Sequence, residues 1–125
     1  MALDRFVLWG ERRPTRDEVA QIVTDFLGGV GDVKWDDVRC VVSLPGKNTH
    51  PLRSVDPRLG GSERDEGERW IEVYYGEDNV DVITRLADSF TNGLAARLAL
   101  TLAHYYGAGY DDGVVSWEPG EKALL

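Results

Sequence analysis

The sequence is poor in the residues that usually mark catalytic chemistry or covalent stabilisation. It has one cysteine and two histidines, and no apolar run of about 18 residues, the length that a membrane-spanning helix requires. Cys40 has no intramolecular disulfide partner, and we expect it to be a small apolar residue of the core rather than a catalytic thiol. No basic-then-apolar segment follows Met1. The sequence therefore predicts a cytoplasmic protein without a membrane span or a secretory signal.

Basic residues are scarce relative to acidic ones. The chain has 14 Lys and Arg against 22 Asp and Glu, which gives a net charge of −8 at pH 7. Binding to nucleic acid depends on clustered cations that replace the counterions of the phosphates, so this balance argues against a nucleic-acid partner. The charge is compatible with a basic protein partner, although many ordinary proteins use the same charge to stay soluble.

What the sequence has is a long apolar segment near its C-terminal end. Two rows of apolar residues recur there at helical spacing: Leu86, Phe90, Leu94, Leu98, Leu102 and Tyr106, and beside them Ala87, Ala95, Ala99 and Ala103. The spacing predicts a helix over Ser89–Tyr106. Because the two rows cover more than half of the circumference, we expect this helix to be covered on two sides, by the other helix or by a partner subunit. Asp88 or Ser89 can cap its start, and Gly107 can adopt the left-handed conformation at its end.

The rest of the chain has the pattern of a sheet with one further helix. Short runs rich in β-branched and aromatic residues predict strands at Arg5–Trp9, Val33–Trp35, Val38–Leu44, Trp70–Tyr75 and Val80–Thr84, and an edge strand at Val114–Trp117. An alternative extends the long helix back to Val82, but the turn residues at 76–79 favour a hairpin. Thr15 and Glu18 form a capping box, which predicts a second helix that ends at Gly28.

This order, β-α-β-(β)-β-β-α, predicts one α+β domain over residues 1–125. We expect a mostly antiparallel sheet of four to five strands with two helices on one face. Residues 45–68 have no periodicity and form a predicted loop far longer than the usual about 4 to 6 residues, a length that suggests function or disorder. Pro45 and Gly46 are expected to end the preceding strand. Within the loop, residues 60–68 are the predicted mobile tip, and residues 121–125 are a predicted frayed tail.

No residue cluster has the spacing of a known catalytic, metal or nucleotide site. The segment Gly46–Thr49 lacks the earlier glycine and the hydroxyl directly after Lys47 that a phosphate-binding loop requires. His50 and His104 have no metal-ligand spacing around them, and Asp36–Asp37 and Asp111–Asp112 adjoin turns, where aspartate is common. We therefore predict no catalytic residue, no metal and no cofactor. The candidate binding residues are Lys47, His50, Arg53, His104, Tyr106 and Tyr110.

Three functional hypotheses are compatible with these features. The first is a protein-binding domain without catalytic activity, such as an inhibitor or an immunity-type protein, with a protein partner and neither nucleic acid nor membrane. The second is a homodimer that packs on the alanine row of the long helix or along an exposed strand. The third is a small-ligand protein or an enzyme with a site between residues 47–58 and the C-terminal end of the long helix. The third would use His50, Arg53 or His104 and requires these side chains to converge in one concavity.

Overall fold

A computed structural model describes residues 2–51, 67–112 and 116–117, and these residues form one antiparallel sheet with two long helices. The elements are β1 (Ala2–Trp9), α1 (Arg16–Leu27), β2 (Asp32–Asp36), β3 (Arg39–Lys47), β4 (Glu68–Tyr75), β5 (Asn79–Arg85), α2 (Ser89–Tyr106), β6 (Gly107–Asp111) and β7 (Ser116–Trp117). The seven strands lie in the order β2-β3-β4-β5-β1-β6-β7. The predicted α+β class is confirmed, with more strands than the four to five expected.

Helix α1 begins where the capping box predicts. The Thr15 hydroxyl accepts a hydrogen bond from the backbone N–H of Glu18 at 3.1 Å, and the Glu18 carboxylate accepts one from the backbone N–H of Thr15 at 3.0 Å. These two bonds satisfy donors that have no partner within the helix. Val19, Val23 and Leu27 are fully buried and join the core.

Helix α2 has the predicted bounds, and its buried stripe combines residues of both predicted rows. Its buried side chains are Thr91, Ala95, Leu98, Ala99, Leu102 and Ala103. Phe90, from the predicted leucine row, is 46% exposed. Small side chains let the helix backbone approach the sheet closely, and α1 supplies part of the remaining cover. Because the alanines are buried within the chain itself, the homodimer hypothesis keeps only an exposed strand as its interface.

The alternation of side chains gives the sheet a helix-covered face and an open face. The helix-covered face contributes Val7, Cys40, Val42, Ile71, Val73, Val80 and Val82 to the same core as the two helices. Side chains at the intervening positions of these strands point to the opposite side. No helix among the described residues packs on that side, although Trp70, Glu72 and Ile83 of this face are buried. Strand β1 lies between β5 and β6 in the interior of the sheet. Only one of its two faces therefore belongs to the core.

The prediction of a left-handed Gly107 is wrong. Its φ and ψ are −83° and 146°, because the chain passes from α2 directly into β6. The sequence of β6 begins with glycines rather than strand formers, and we did not predict this strand. Glycine is required for another reason: a Cβ on Gly107 would lie 2.8 Å from the Cα of Ala103.

Pro45 and Gly46 do not end β3, which continues to Lys47. The register between β3 and β4 shifts between Leu44 and Lys47, and Gly46 has φ 88°. Proline and glycine thus form an irregularity within the strand, where a missing donor and a positive φ are tolerated. The hairpin of β4 and β5 is present as predicted, and residues 80–85 are strand rather than helix. Of the predicted strand Val114–Trp117, only its last two residues are described.

Candidate functional site

The first part of the predicted binding loop packs against the start of α2. The Asn48 side-chain nitrogen donates to the carbonyl of Leu86 at 2.8 Å, and its oxygen accepts from the backbone N–H of Asp88 at 3.0 Å. The backbone N–H of Thr49 donates to Asp88 Oδ2 at 3.1 Å. The loop is thereby held to the N-terminal end of the helix, whereas the sequence hypothesis placed it at the C-terminal end.

Asp88 is the N-cap of α2 and the centre of this attachment. Its Oδ1 accepts from the backbone N–H and the hydroxyl of Thr91, at 3.0 and 2.8 Å. Its Oδ2 accepts from the N–H and the hydroxyl of Thr49 and from Arg69 Nε, the last at 3.0 Å. Burial opposes ionisation, but these donors outweigh it and hold the pKa of Asp88 far below its usual value. A carboxylate held in this way is a poor general base.

A polar cavity of about 270 Å³ lies beside this cap. It is lined by Thr49, His50, Pro51, Arg69, Ala87, Asp88, Ser89, Phe90 and Asn92. The guanidinium of Arg69 lies 4.5 Å from the centre of the Phe90 ring and also pairs with Asp88. The strongest charges of the cavity are thus already engaged with each other, and they are better explained as attachment of the loop than as ligand recognition.

The structure separates the predicted site residues into two groups. Lys47 ends β3 and His50 lines the cavity at the start of α2, whereas His104, Tyr106 and Tyr110 lie at or just after the end of α2. The helix has 18 residues, so its ends are about 27 Å apart. Arg53 lies outside the described residues. The described candidates therefore do not line one concavity.

The group at the end of α2 makes contacts within the fold. The Tyr106 hydroxyl donates to Glu18 at 3.5 Å, and Arg12 lies over its ring at 5.3 Å. Tyr110 is buried, and its hydroxyl donates to Asp112 at 3.1 Å. Burial and the nearby Asp112 carboxylate raise the pKa of Tyr110 above its usual value. His104 is exposed near the end of the helix.

The open face of the sheet carries a feature that the sequence did not reveal. Phe6 and Leu8 of β1 point to this face and are 41% and 45% exposed, although β1 is an interior strand. Gly109 of β6 lies opposite Leu8 and offers no side chain to cover it. Two adjacent large apolar side chains therefore remain open to solvent near the middle of the sheet.

Three carboxylates lie around Phe6, the first of these two side chains. Asp81 of β5 and Asp111 of β6 lie directly opposite Phe6 on its two sides, and Asp4 precedes it by two residues on β1. Burial, and then the neighbouring Asp4, raise the pKa of Asp81 to about 7. The Oδ1 atom of Asp81 is buried and has no hydrogen-bond partner. We call Phe6, Leu8, Asp4, Asp81 and Asp111 the acid-framed patch.

No known protein family matches the chain, and neither a curated protein nor a solved structure shows significant similarity to it.

Elsewhere on the open face, a carboxylate has its cations within the chain: Glu72 is paired with two arginines, unlike Asp4 and Asp81 of the acid-framed patch. Glu72 is buried on β4, and Arg39 Nη2 and Arg85 Nε donate to its two oxygens at 2.8 Å each. Trp70 Nε1 and the Tyr74 hydroxyl complete its shell at 3.4 and 3.3 Å. Burial opposes ionisation of Glu72, but the two guanidinium groups outweigh it and lower the pKa of Glu72. This network is a structural element of the sheet.

The other potential reactive groups also have structural surroundings. Cys40 is buried in the core as predicted, and burial raises the pKa of its thiol to about 12, so it carries no thiolate at neutral pH. Within residues 2–51, 67–112 and 116–117, no three His, Cys, Asp or Glu side chains are grouped closely enough to hold a metal ion. Neither of the long helices described above is long and apolar enough to cross a membrane.

Proposed function

We propose that this chain is a protein-binding domain without catalytic activity, and that it binds its partner through the open face of the sheet. The observation that carries this proposal is the exposure of Phe6 and Leu8 on an interior strand. Single exposed apolar residues are common, but neighbouring large ones in the middle of a sheet mark interaction surfaces. Inhibitors and immunity-type proteins act in this way, by covering a partner's surface without chemistry of their own.

The distribution of polar groups supports binding rather than catalysis. Asp88 lines the same cavity as His50. Its carboxylate accepts hydrogen bonds from three residues and caps α2. His50 and His104 lie near opposite ends of that helix. A general base and a partner group for it would have to lie within hydrogen-bond distance of one substrate.

The same surface favours a partner other than a second copy of the chain. In a face-to-face homodimer, the carboxylates of Asp4, Asp81 and Asp111 would meet their own counterparts. Like charges that meet across an interface oppose association, and the net charge of −8 on each chain adds to the repulsion. We therefore place the homodimer second.

The test compares two double variants that remove similar apolar surface. Phe6→Ser with Leu8→Ser alters the open face, whereas Val30→Ser with Val38→Ser alters turn residues that are 43% and 45% exposed. The tagged chains are used to capture proteins from cells that produce the chain, and the dissociation constant of each captured and purified protein is then measured by calorimetry. Circular dichroism and thermal melts establish that both variants are folded.

We expect a stoichiometric partner that binds the wild-type chain and the valine variant equally. Its affinity for the Phe6 and Leu8 variant should be at least about tenfold lower, because the central apolar contacts of an interface supply most of its binding energy. Equal binding to both variants, or capture of no stoichiometric partner at micromolar concentration, would contradict the proposal.

A further inference from the structure

We infer that the acid-framed patch recognises a basic segment of the partner, with an arginine or lysine against Asp4 and Asp81 and an adjacent apolar side chain on Phe6 and Leu8. This inference rests on the proposed function, and it adds the chemistry of the partner. The first support is the arrangement of the sheet itself. Asp81 is the direct cross-strand neighbour of Phe6, and Asp4 lies two residues away on the same face of β1. Negative charge and apolar surface thus adjoin within one or two residue spacings.

The second support is the lack of an ion pair at these two carboxylates, on which Arg5 and Arg85 act only at longer range. No ion pair joins Asp4 or Asp81 to an arginine or lysine within the described parts of the chain. The nearest arginines of the open face, Arg39 and Arg85, each donate to Glu72 at 2.8 Å. Arg5 points to the helix side, where it donates to Thr84 and Asn92. A cation of the partner can therefore pair with these carboxylates.

The third support is the buried oxygen of Asp81. An acceptor without a hydrogen bond in a low-dielectric position is destabilising, and a second carboxylate beside it increases the cost. Burial and Asp4 accordingly raise the pKa of Asp81 to about 7. A guanidinium or ammonium group beside the two carboxylates would offset their mutual repulsion with the opposite charge.

These unfavourable features coincide at one place. Exposed Phe6 and Leu8 and the unpaired oxygen of Asp81 each lower the stability or solubility of the isolated chain, yet all three adjoin on neighbouring strands. Proteins usually keep such local conflicts where a function requires them. A basic and apolar ligand would cover Phe6 and Leu8 and place opposite charge beside Asp4 and Asp81 in one contact.

The test uses a short peptide as a probe. The acetylated and amidated tripeptide arginine-leucine-arginine is titrated into the uniformly ¹⁵N-labelled chain at low ionic strength, where exposed charges are least screened. The same tripeptide with citrulline in place of both arginines preserves size and hydrogen-bonding groups but removes the charge. Asp81→Asn removes one charge of the patch, and Asp25→Asn removes an exposed charge of α1 as a matched control.

We expect the amide shifts that change to cluster on β1, β5 and β6. Asp81→Asn should weaken binding at least about threefold, Asp25→Asn should leave it unchanged, and the citrulline peptide should bind at least about fivefold more weakly. Shifts spread over both sides of the protein, or equal effects of the two variants, would overturn the inference and show only general attraction of cations to an acidic protein.

The outcome is distinguishable from that of the proposed function. If the Phe6 and Leu8 variant loses its partner while the arginine peptide does not bind the patch, protein binding stands and the basic ligand is wrong. If the peptide binds the patch but no partner depends on Phe6 and Leu8, the patch binds cations and the proposed function is wrong.

Discussion

At the scale of single residues, Asp88 and Asp81 show how differently one fold can treat two carboxylates. Asp88 accepts hydrogen bonds from Thr49, Arg69 and Thr91, which lower its pKa despite burial. Asp81 has an oxygen without a partner and lies near Asp4, and its pKa is raised to about 7. The first carboxylate stabilises the fold when it is charged, and the second destabilises it when it is charged.

Asp81→Asn should therefore stabilise the protein at high pH. A carboxyl whose pKa is raised in the folded state stabilises that state below its unfolded pKa, near 4, and this stabilisation is lost as pH rises to about 7. At pH 8 we expect the variant to exceed the wild type by about 1 to 2 kcal/mol, because water reaches part of the side chain and screens the repulsion. Urea unfolding of both proteins at pH 4.5 and pH 8 measures the difference, which should shrink at the lower pH. Asp25→Asn controls for net charge, and a difference that is the same at both pH values would be incompatible with this account.

Substitutions of Asp88 should act in the opposite direction. Asp88→Ala removes the N-cap and leaves Arg69 without its carboxylate, and we expect a loss of about 2 to 4 kcal/mol. Asp88→Asn keeps a capping oxygen and should lose only about 1 to 2 kcal/mol. Because the pKa of Asp88 is lowered in the folded state, its carboxylate stabilises the fold fully above its unfolded pKa, near 4, and this stabilisation is lost on further acidification. The stability of both variants should therefore decline less steeply from pH 5 to pH 3 than that of the wild type. Urea unfolding across this range tests both statements, and equal losses for Ala and Asn at pH 7 would argue against a role for the cap.

At the scale of elements, helix α2 packs closely on the sheet, and strand β6 begins at the residue directly after it. The buried alanines bring its backbone near the sheet. The Cα of Gly107 lies so close to the backbone of Ala103 that a Cβ has no room there. Gly93 lies in the same helix on its exposed side, with no atom near enough to contact an added Cβ. The two glycines thus differ in whether the fold requires them.

Alanine substitutions at these two glycines should change stability with opposite signs. Gly93→Ala should stabilise the protein by about 0.5 to 1 kcal/mol, since alanine is the better helix former and has room. Gly107→Ala should destabilise it by about 1 to 3 kcal/mol, since its Cβ would lie 2.8 Å from Ala103 Cα and 2.9 Å from the Ala103 carbonyl oxygen. Chemical unfolding of the two variants beside the wild type measures both, and stabilisation by Gly107→Ala would show that the junction of α2 and β6 is looser than described.

The elements were predictable where local pattern and packing agree. The capping box of Thr15 and Glu18, the bounds of α2 and the β4–β5 hairpin follow from spacing and turn chemistry. Strand β6 was missed because pairing with β1, rather than its glycine-rich sequence, makes it a strand. Within the predicted apolar arc of α2, Leu98 and Ala99 are fully buried whereas Phe90 is 46% exposed, because periodicity predicts an apolar arc without specifying which part of it is deepest.

At the scale of the whole molecule, the two faces of the sheet divide structure from proposed function. Both helices share the core on one face, and the other face carries the Glu72 network and the acid-framed patch. The apolar run Arg5–Trp9 predicts a strand, and β1 proves to be an interior one, but the pattern does not specify how many of its faces are covered. That depends on the strand order, which joins β5, β1 and β6 from distant parts of the chain. The patch was therefore beyond sequence reasoning, whereas its individual residues were not unusual.

The most direct test of this account is amide hydrogen exchange of the chain with and without its captured partner. The account predicts new protection on β1, β5 and β6 around Phe6, Leu8 and Asp81, and no change on the exposed side of α1 and α2. Protection confined to the helices or to the loop around His50, with the open face of the sheet unchanged, would contradict it.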